Sequence, residues 1–180
     1  PKYAEAFAKA AAKYMPEMGL DDPKVVAAIW ATIATETHFK ILEENMSYTA
    51  RRIRQVWPSR FKSVAAARPY ARNGQKLANK VYGGRMGNRG KKDAGWLYRG
   101  SGPGQTTGYN EFKLMTDKTG VDVVTNPEIL RNDPDLGMKA FILFWKSKNI
   151  SAPALKGDRR RVQEGDAGGY CKGLGRQQLL

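Results

Sequence analysis

The chain has one cysteine, Cys171, and one histidine, His38. A single cysteine forms no internal disulfide, which fits synthesis in a reducing cytoplasm. The same scarcity argues against a zinc site built from the usual cysteine and histidine ligands, and no metal or organic cofactor is expected. A serine–histidine–aspartate triad could use only His38. That ring lies two residues from Glu36 and is read as packing or hydrogen-bonding around the carboxyl. No apolar run approaches the ~20 residues that span a bilayer. No signal peptide is visible either. Residues 1–15, PKYAEAFAKAAAKYM, are amphipathic and form no continuous apolar core, though a chain starting at Pro1 leaves processing of a precursor open.

Acidic residues are missing from Asn45 through Lys92. That stretch holds thirteen basic residues: Arg51, Arg52, Arg54, Arg60, Lys62, Arg68, Arg72, Lys76, Lys80, Arg85, Arg89, Lys91 and Lys92. With a net charge of +14, such a surface seeks a polyanion: nucleic acid, anionic lipid headgroups or an acidic cell wall. A generally solvated basic face is the plainer alternative, and so long a segment without any acid speaks against it.

What is present is mostly helix. The 180 residues suit one domain over 1–180, and 41% hydrophobic with 27% charged residues is a soluble globular balance. Residues 2–16 predict a helix with Ala4, Phe7, Ala11, Tyr14 and Met15 on one side, ended near Gly19. Asp22-Pro23 is a start signal for a second helix over about 23–38. Thr49 or Ser47 can cap a short helix carrying Ile53, Val56 and Trp57 inward and stopped by Pro58. Further helices are expected over about 60–68, 74–82, 110–118, 127–131 and 134–147, with one near 157–164. The helix over 134–147 carries a core stripe of Leu136, Ala140, Phe141, Phe144 and Trp145. Strand signals are weak and fall near Val121–Val124.

The second helix organises the chain. Its apolar stripe runs Val26, Ile29, Trp30, Ile33, and the next member at that spacing is Glu36. A glutamate near a helix end is more often solvated, but this one stands where the pattern calls for a core residue. Burial beside apolar groups raises a carboxyl's pKa and suits a general acid. Glu43 and Glu44 follow beyond the helix, so a second carboxylate can face the first across a turn, the arrangement used in glycosidic bond hydrolysis. Residues 83–108 contain nine of the nineteen glycines. A loop of that length in a compact domain is functional or disordered, and Trp96, Tyr98 and Tyr109 argue for function. Glycines admit a close ligand, and aromatic faces pack on sugar rings or bases.

The segments ATETHF, EENMSYTARRIRQVWPSRF, ANKVYGG, GWLYRGSGPGQTTGYNEF and FILFWKSKNI, in this order over about 25–150, resemble glycoside hydrolase family 19. Within it they look most like the phage endolysins and bacterial chitinase-like lysozymes. That family usually shows H-E-S/T-G-G-F, then E-N-L-N-Y-S, then W-x-Y-x-G-R-G-x-x-Q-L-T-G-x-x-N-Y. The resemblance implies a lysozyme-like helical domain with the glycine-rich loop lining a substrate cleft. It implies that Glu36 is the general acid and Glu44 the second carboxylate, with Asn45 and Tyr48 beside it. It also implies that Gln105 binds sugar and Thr107 helps hold the attacking water. Tyr48, Arg85, Trp96, Tyr98, Tyr109, Asn110 and Glu111 complete the expected substrate-binding set. The chain departs from the motifs in several places. His38 stands where glycines usually follow the acid, Ser101 replaces the motif's arginine, Thr106 its leucine, and Glu111 its asparagine. Glu43 and Glu111 therefore compete with Glu44 for the role of base.

The implied reaction is hydrolysis of β-1,4 bonds in peptidoglycan with inversion, by an endolysin made in the host cytoplasm and reaching the wall after membrane permeabilisation. Such a protein is expected to be a monomer without a specific nucleic-acid partner. Its basic residues, including the extension 151–180, are available for contact with anionic membranes. A chitinase acting on N-acetylglucosamine polymers and a non-enzymatic nucleic-acid-binding module are the alternatives.

Overall fold

The computed structural model describes residues 2–40 and 42–158, and over these the chain is mainly α. Ten α-helices follow in order: α1 Ala4–Glu17, α2 Pro23–Thr37, α3 Ala50–Val56, α4 Val64–Ala67, α5 Gly74–Tyr82, α6 Ala94–Leu97, α7 Tyr109–Thr119, α8 Ile129–Asn132, α9 Pro134–Ser147 and α10 Ser151–Leu155. Their starts are written in the sequence. Asp22 accepts a hydrogen bond from the Lys24 N–H, Thr49 from Arg52, Asn73 from Lys76 and Asp133 from Leu136. Each satisfies a donor that the helix itself leaves open.

The helices enclose two separate apolar cores. The larger joins α1, α2, α7, α9 and α10, with Phe7, Ile29, Ile33, Phe112, Phe141, Phe144 and Trp145 at its centre. Side chains of that size contribute about 2–3 kcal/mol each when fully buried. The Tyr14 hydroxyl, donating to Asp135 Oδ2 at 2.6 Å, ties α1 to α9 at the rim. The smaller core belongs to the acid-free stretch: Met46, Ile53, Trp57, Phe61, Leu77, Ala78, Val81 and Tyr82. Helix α6 closes onto it through Gly95, where a Cβ would come within 2.5 Å of the Ala78 carbonyl oxygen. Only a glycine lets α5 and α6 cross so closely.

Several expectations need correction. In α2 the buried line is Val25, Ile29, Ile33 and Glu36, while Val26 and Trp30 are half-buried. The stretch 60–68 shrinks to α4, followed by a 3-10 turn over Arg68–Tyr70 that holds Pro69 near its start, where a missing N–H costs nothing. Residues 121–124 form turns and not a strand: Val123 N–H donates to the Val121 carbonyl. His38 is exposed and caps α2 in the left-handed conformation (φ 50°). The helix expected near 157–164 falls mostly outside the described residues, and the helix after α9 is α10.

Candidate active site

Between the two cores, three extended pieces of chain meet. The Glu44 N–H donates to the Gly100 carbonyl at 2.8 Å and the Gly102 N–H to the Leu42 carbonyl at 2.8 Å. Ser101 and Thr106 exchange both backbone hydrogen bonds, at 3.0 and 2.8 Å. Leu42–Glu44 thus pairs antiparallel with Gly100–Gly102, which folds back on Thr106 through the turn Gly102-Pro103-Gly104-Gln105. The turn lies tight on α8 and α9: a Cβ on Gly137 would stand 3.1 Å from Pro103 Cδ and 3.3 Å from the Leu130 carbonyl.

Alternation along extended chain sends neighbouring side chains to opposite faces, and here it separates two glutamates. Glu44 turns inward and is 3% exposed. The Tyr82 hydroxyl donates to its Oε1 at 2.7 Å and the Gly100 N–H to its Oε2 at 3.3 Å. Burial pushes its pKa up; these two hydrogen bonds and the Arg99 charge pull the other way. Burial and the Glu44 charge in turn push the Tyr82 hydroxyl well above its ordinary range, so it stays a donor. Glu43 turns outward, half-exposed, and pairs with Arg99 at 2.9 Å. The Arg99 guanidinium lies 3.6 Å over the Trp96 ring and donates to the Trp96 carbonyl.

Glu36 occupies the last turn of α2 and is 7% exposed, on the same face as Ile29 and Ile33. Left-handed residues His38 and Phe39 follow at once, turning the chain sharply toward Leu42–Glu44. The Thr37 hydroxyl secures that exit, donating to the Ile33 carbonyl and accepting from the Phe39 N–H.

The other expected site residues divide. Thr107 is buried, its hydroxyl donating to the Gln105 carbonyl at 2.8 Å. Gln105 is fully buried with φ 51°, its Nε2 donating to the Gly102 carbonyl. Tyr48 is half-buried, edge-on to Trp57, and senses the Glu44 charge. Trp96 is half-buried between Arg99 and the smaller core. Tyr98 belongs to the larger core, against Tyr109 and Phe112, with its hydroxyl donating to the Val124 carbonyl. Tyr109 is half-buried under the Lys91 ammonium, and Asn110 and Arg85 are exposed. Glu111 lies in the first turn of α7, half-buried; burial raises its pKa against the pull of Lys148.

Four residues that sequence reading passed over hold this arrangement together. Tyr82 and Arg99 are described above. Asn88 is fully buried; its amide donates to the Tyr82 carbonyl and accepts from the Tyr109 N–H, linking the end of α5 to the start of α7. Arg131 donates to Ser101 Oγ at 2.8 Å and to the Leu97 carbonyl. Burial and the nearby Arg99 lower its pKa to about 10. Arg131 thus brings a guanidinium from α8 onto the side chain of Ser101. Among the described residues, no cluster of three histidine, cysteine, aspartate or glutamate side chains could hold a metal ion.

No protein-family model matches the chain. It is 31% identical over 110 residues to a Haemophilus influenzae protein named glycosyl hydrolase family 19 domain-containing protein, covering 61% of this chain and 54% of that protein. It is 33% identical over 57 residues to Chitinase 11 of Oryza sativa subsp. japonica, covering 32% of this chain and 22% of that protein. The chain spans about half the length of the first of these relatives and less of the second. Both names lie within the resemblance carried by the motifs, at the level of a family 19-like glycosidase.

Proposed function

We propose that the chain hydrolyses β-1,4 glycosidic bonds of bacterial peptidoglycan by general acid/base catalysis, as an endolysin that lyses its host cell. One observation carries this reading: Glu36 and Glu44 are both buried, at the two places where the resemblance calls for carboxyls. Glutamate is almost never fully buried unless it is paired, and burial beside apolar groups tunes a carboxyl for acid or base work. Glu36 protonates the leaving oxygen, and Glu44 takes a proton from water attacking the opposite face of the sugar. A raised proton affinity makes Glu44 the stronger base. Thr107, whose hydroxyl hydrogen is directed to the Gln105 carbonyl, keeps its lone pairs for that water. Glu43 fits the base role less well, being half-exposed and held by Arg99. Inversion would require Glu36 and Glu44 to stand about 6.5–9.5 Å apart with substrate bound. Tyr48, Trp96, Tyr109, Asn110 and Arg85 remain candidates for sugar contact; Tyr98, as a core residue, supports them from behind.

Charge favours peptidoglycan over chitin, which is nearly uncharged. The acid-free stretch carries thirteen basic residues, eleven of them exposed. The other described residues hold thirteen basic and fifteen acidic side chains. The attraction to an anionic wall or membrane surface is therefore concentrated on the smaller core's outer surface. The protein acts as a monomer after release from the host cytoplasm. Chitin hydrolysis is the second reading, supported by the name of the rice relative.

The test is lysis of permeabilised cells by purified variants. Glu36→Gln abolishes it, and Glu44→Gln lowers it by about 10²–10⁴-fold. A larger loss in Glu111→Gln than in Glu44→Gln would move the base to α7. Turnover of chitin oligomers with intact peptidoglycan untouched would select the second reading.

A further inference from the structure

Burial works against Glu44 in the role assigned to it. A carboxyl taken out of water favours the proton that a base must lack before it can act. Three groups oppose that cost. The Tyr82 hydroxyl donates to Oε1 at 2.7 Å, and the Gly100 N–H donates to Oε2 at a longer 3.3 Å. Arg99 acts through its charge, since its guanidinium donates to Glu43 at 2.9 Å and to the Trp96 carbonyl. Tyr82 is therefore the short, direct donor of the three and the strongest of them.

This hydroxyl is brought from a distance. Tyr82 is the last residue of α5, its ring belongs to the smaller core, and its partner lies 38 positions earlier on the extended piece Leu42–Glu44. The Tyr82 carbonyl accepts from the Asn88 amide, whose Oδ1 accepts from the Tyr109 N–H, so the end of α5 is tied to the start of α7. A phenol is ordinarily a far weaker acid than a carboxyl, 10.0 against 4.5. Burial and the Glu44 charge push Tyr82 further up. The hydrogen between the two oxygens thus belongs to Tyr82, and its donation stabilises the carboxylate.

We propose that Tyr82 is a positioning residue for the base: its hydroxyl holds Glu44 ionised and fixes its Oε1 before substrate binds. The proposal rests on the assignment of Glu44 as the base. A general base must be unprotonated at the working pH and still avid enough to take a proton from water. Burial supplies the avidity, and the Tyr82 bond keeps the group unprotonated. In the hydrolysis, water gives its oxygen to the anomeric carbon and its proton to Glu44, while Glu36 gives a proton to the leaving oxygen. Tyr82 transfers nothing. The charged and titratable groups facing Glu44 are Arg99, which favours the ionised form, and the neutral Tyr48 and Tyr82, with Arg85 acting on Tyr82.

The test is carbon-13 NMR titration of the Glu44 carboxyl in the whole chain, with the pH profile of glycan hydrolysis beside it. Tyr82→Phe keeps the ring in the smaller core and removes only the hydroxyl. It raises the Glu44 midpoint by about one unit, a tenfold gain in proton affinity. The acid limb of kcat moves up with it, while KM changes little. A tyrosine at the same position, fluorinated beside its hydroxyl, is a stronger donor and moves midpoint and limb down. Opposite shifts from two changes at one oxygen are not produced by a loosened core. Should Tyr82→Phe fail to fold, the fluorinated variant decides alone. The expected shifts in a protein that cleaves no glycan leave the hydrogen bond standing and sink the assigned reaction. A Glu44 midpoint that neither change moves, or that both move the same way, overturns the proposal.

Discussion

Burial raises the proton affinity of Glu44 and of Glu111 above the ordinary carboxyl value of 4.5. Each group therefore binds more protons in the folded chain than in the unfolded one, and stability falls as pH rises from about 4.5 through the raised folded values. Glu44→Gln removes one such group while keeping an acceptor for Tyr82. It should raise the melting temperature at pH 8, leave it nearly unchanged at pH 4, and abolish most activity. Thermal melts at the two pH values check this, and an equal change at both would contradict it. Glu36 was legible because it interrupts an apolar stripe, and Glu44 because it stands in a motif. Tyr82 and Arg131 were not legible. Their partners lie 38 and 30 positions away along the chain, and no spacing rule connects an extended segment to a distant helix.

Several helices could be read from their caps. Asp22, Thr49, Asn73 and Asp133 each mark a start, because a side-chain oxygen there answers an open N–H. The pairing of Leu42–Glu44, Gly100–Gly102 and Thr106 could not be read, since single antiparallel pairings leave no alternation long enough to recognise. Asn88 is the link between elements with the most at stake. Asn88→Ala would leave the Tyr109 N–H and the Tyr82 carbonyl without their buried partner, at a cost of about 2 kcal/mol. Denaturant unfolding should show that loss together with reduced activity, because α5 carries Tyr82 to Glu44 and α7 begins at Tyr109. A loss under about 0.5 kcal/mol would mean that the link is dispensable.

At the scale of the molecule, net positive charge and the smaller core coincide. The stretch that forms the smaller core is basic, the rest of the described chain is close to neutral, and Glu44 stands between Leu42 of the larger core and Met46 of the smaller. Replacing exposed Arg51, Arg60 and Arg68 together with glutamine should slow lysis of whole walls several-fold at low salt and little at high salt. Hydrolysis of short soluble glycans should be unchanged. Turbidity and oligomer assays over a salt series measure both, and equal slowing of the two reactions would count against wall attraction. Hydrolysis of the glycan strand through Glu36 is read out by mass spectrometry of products from purified peptidoglycan. Fragments ending in ordinary reducing sugars are expected with the wild-type protein and none with Glu36→Gln. Fragments ending in an anhydro ring, or the same products from both proteins, would contradict it.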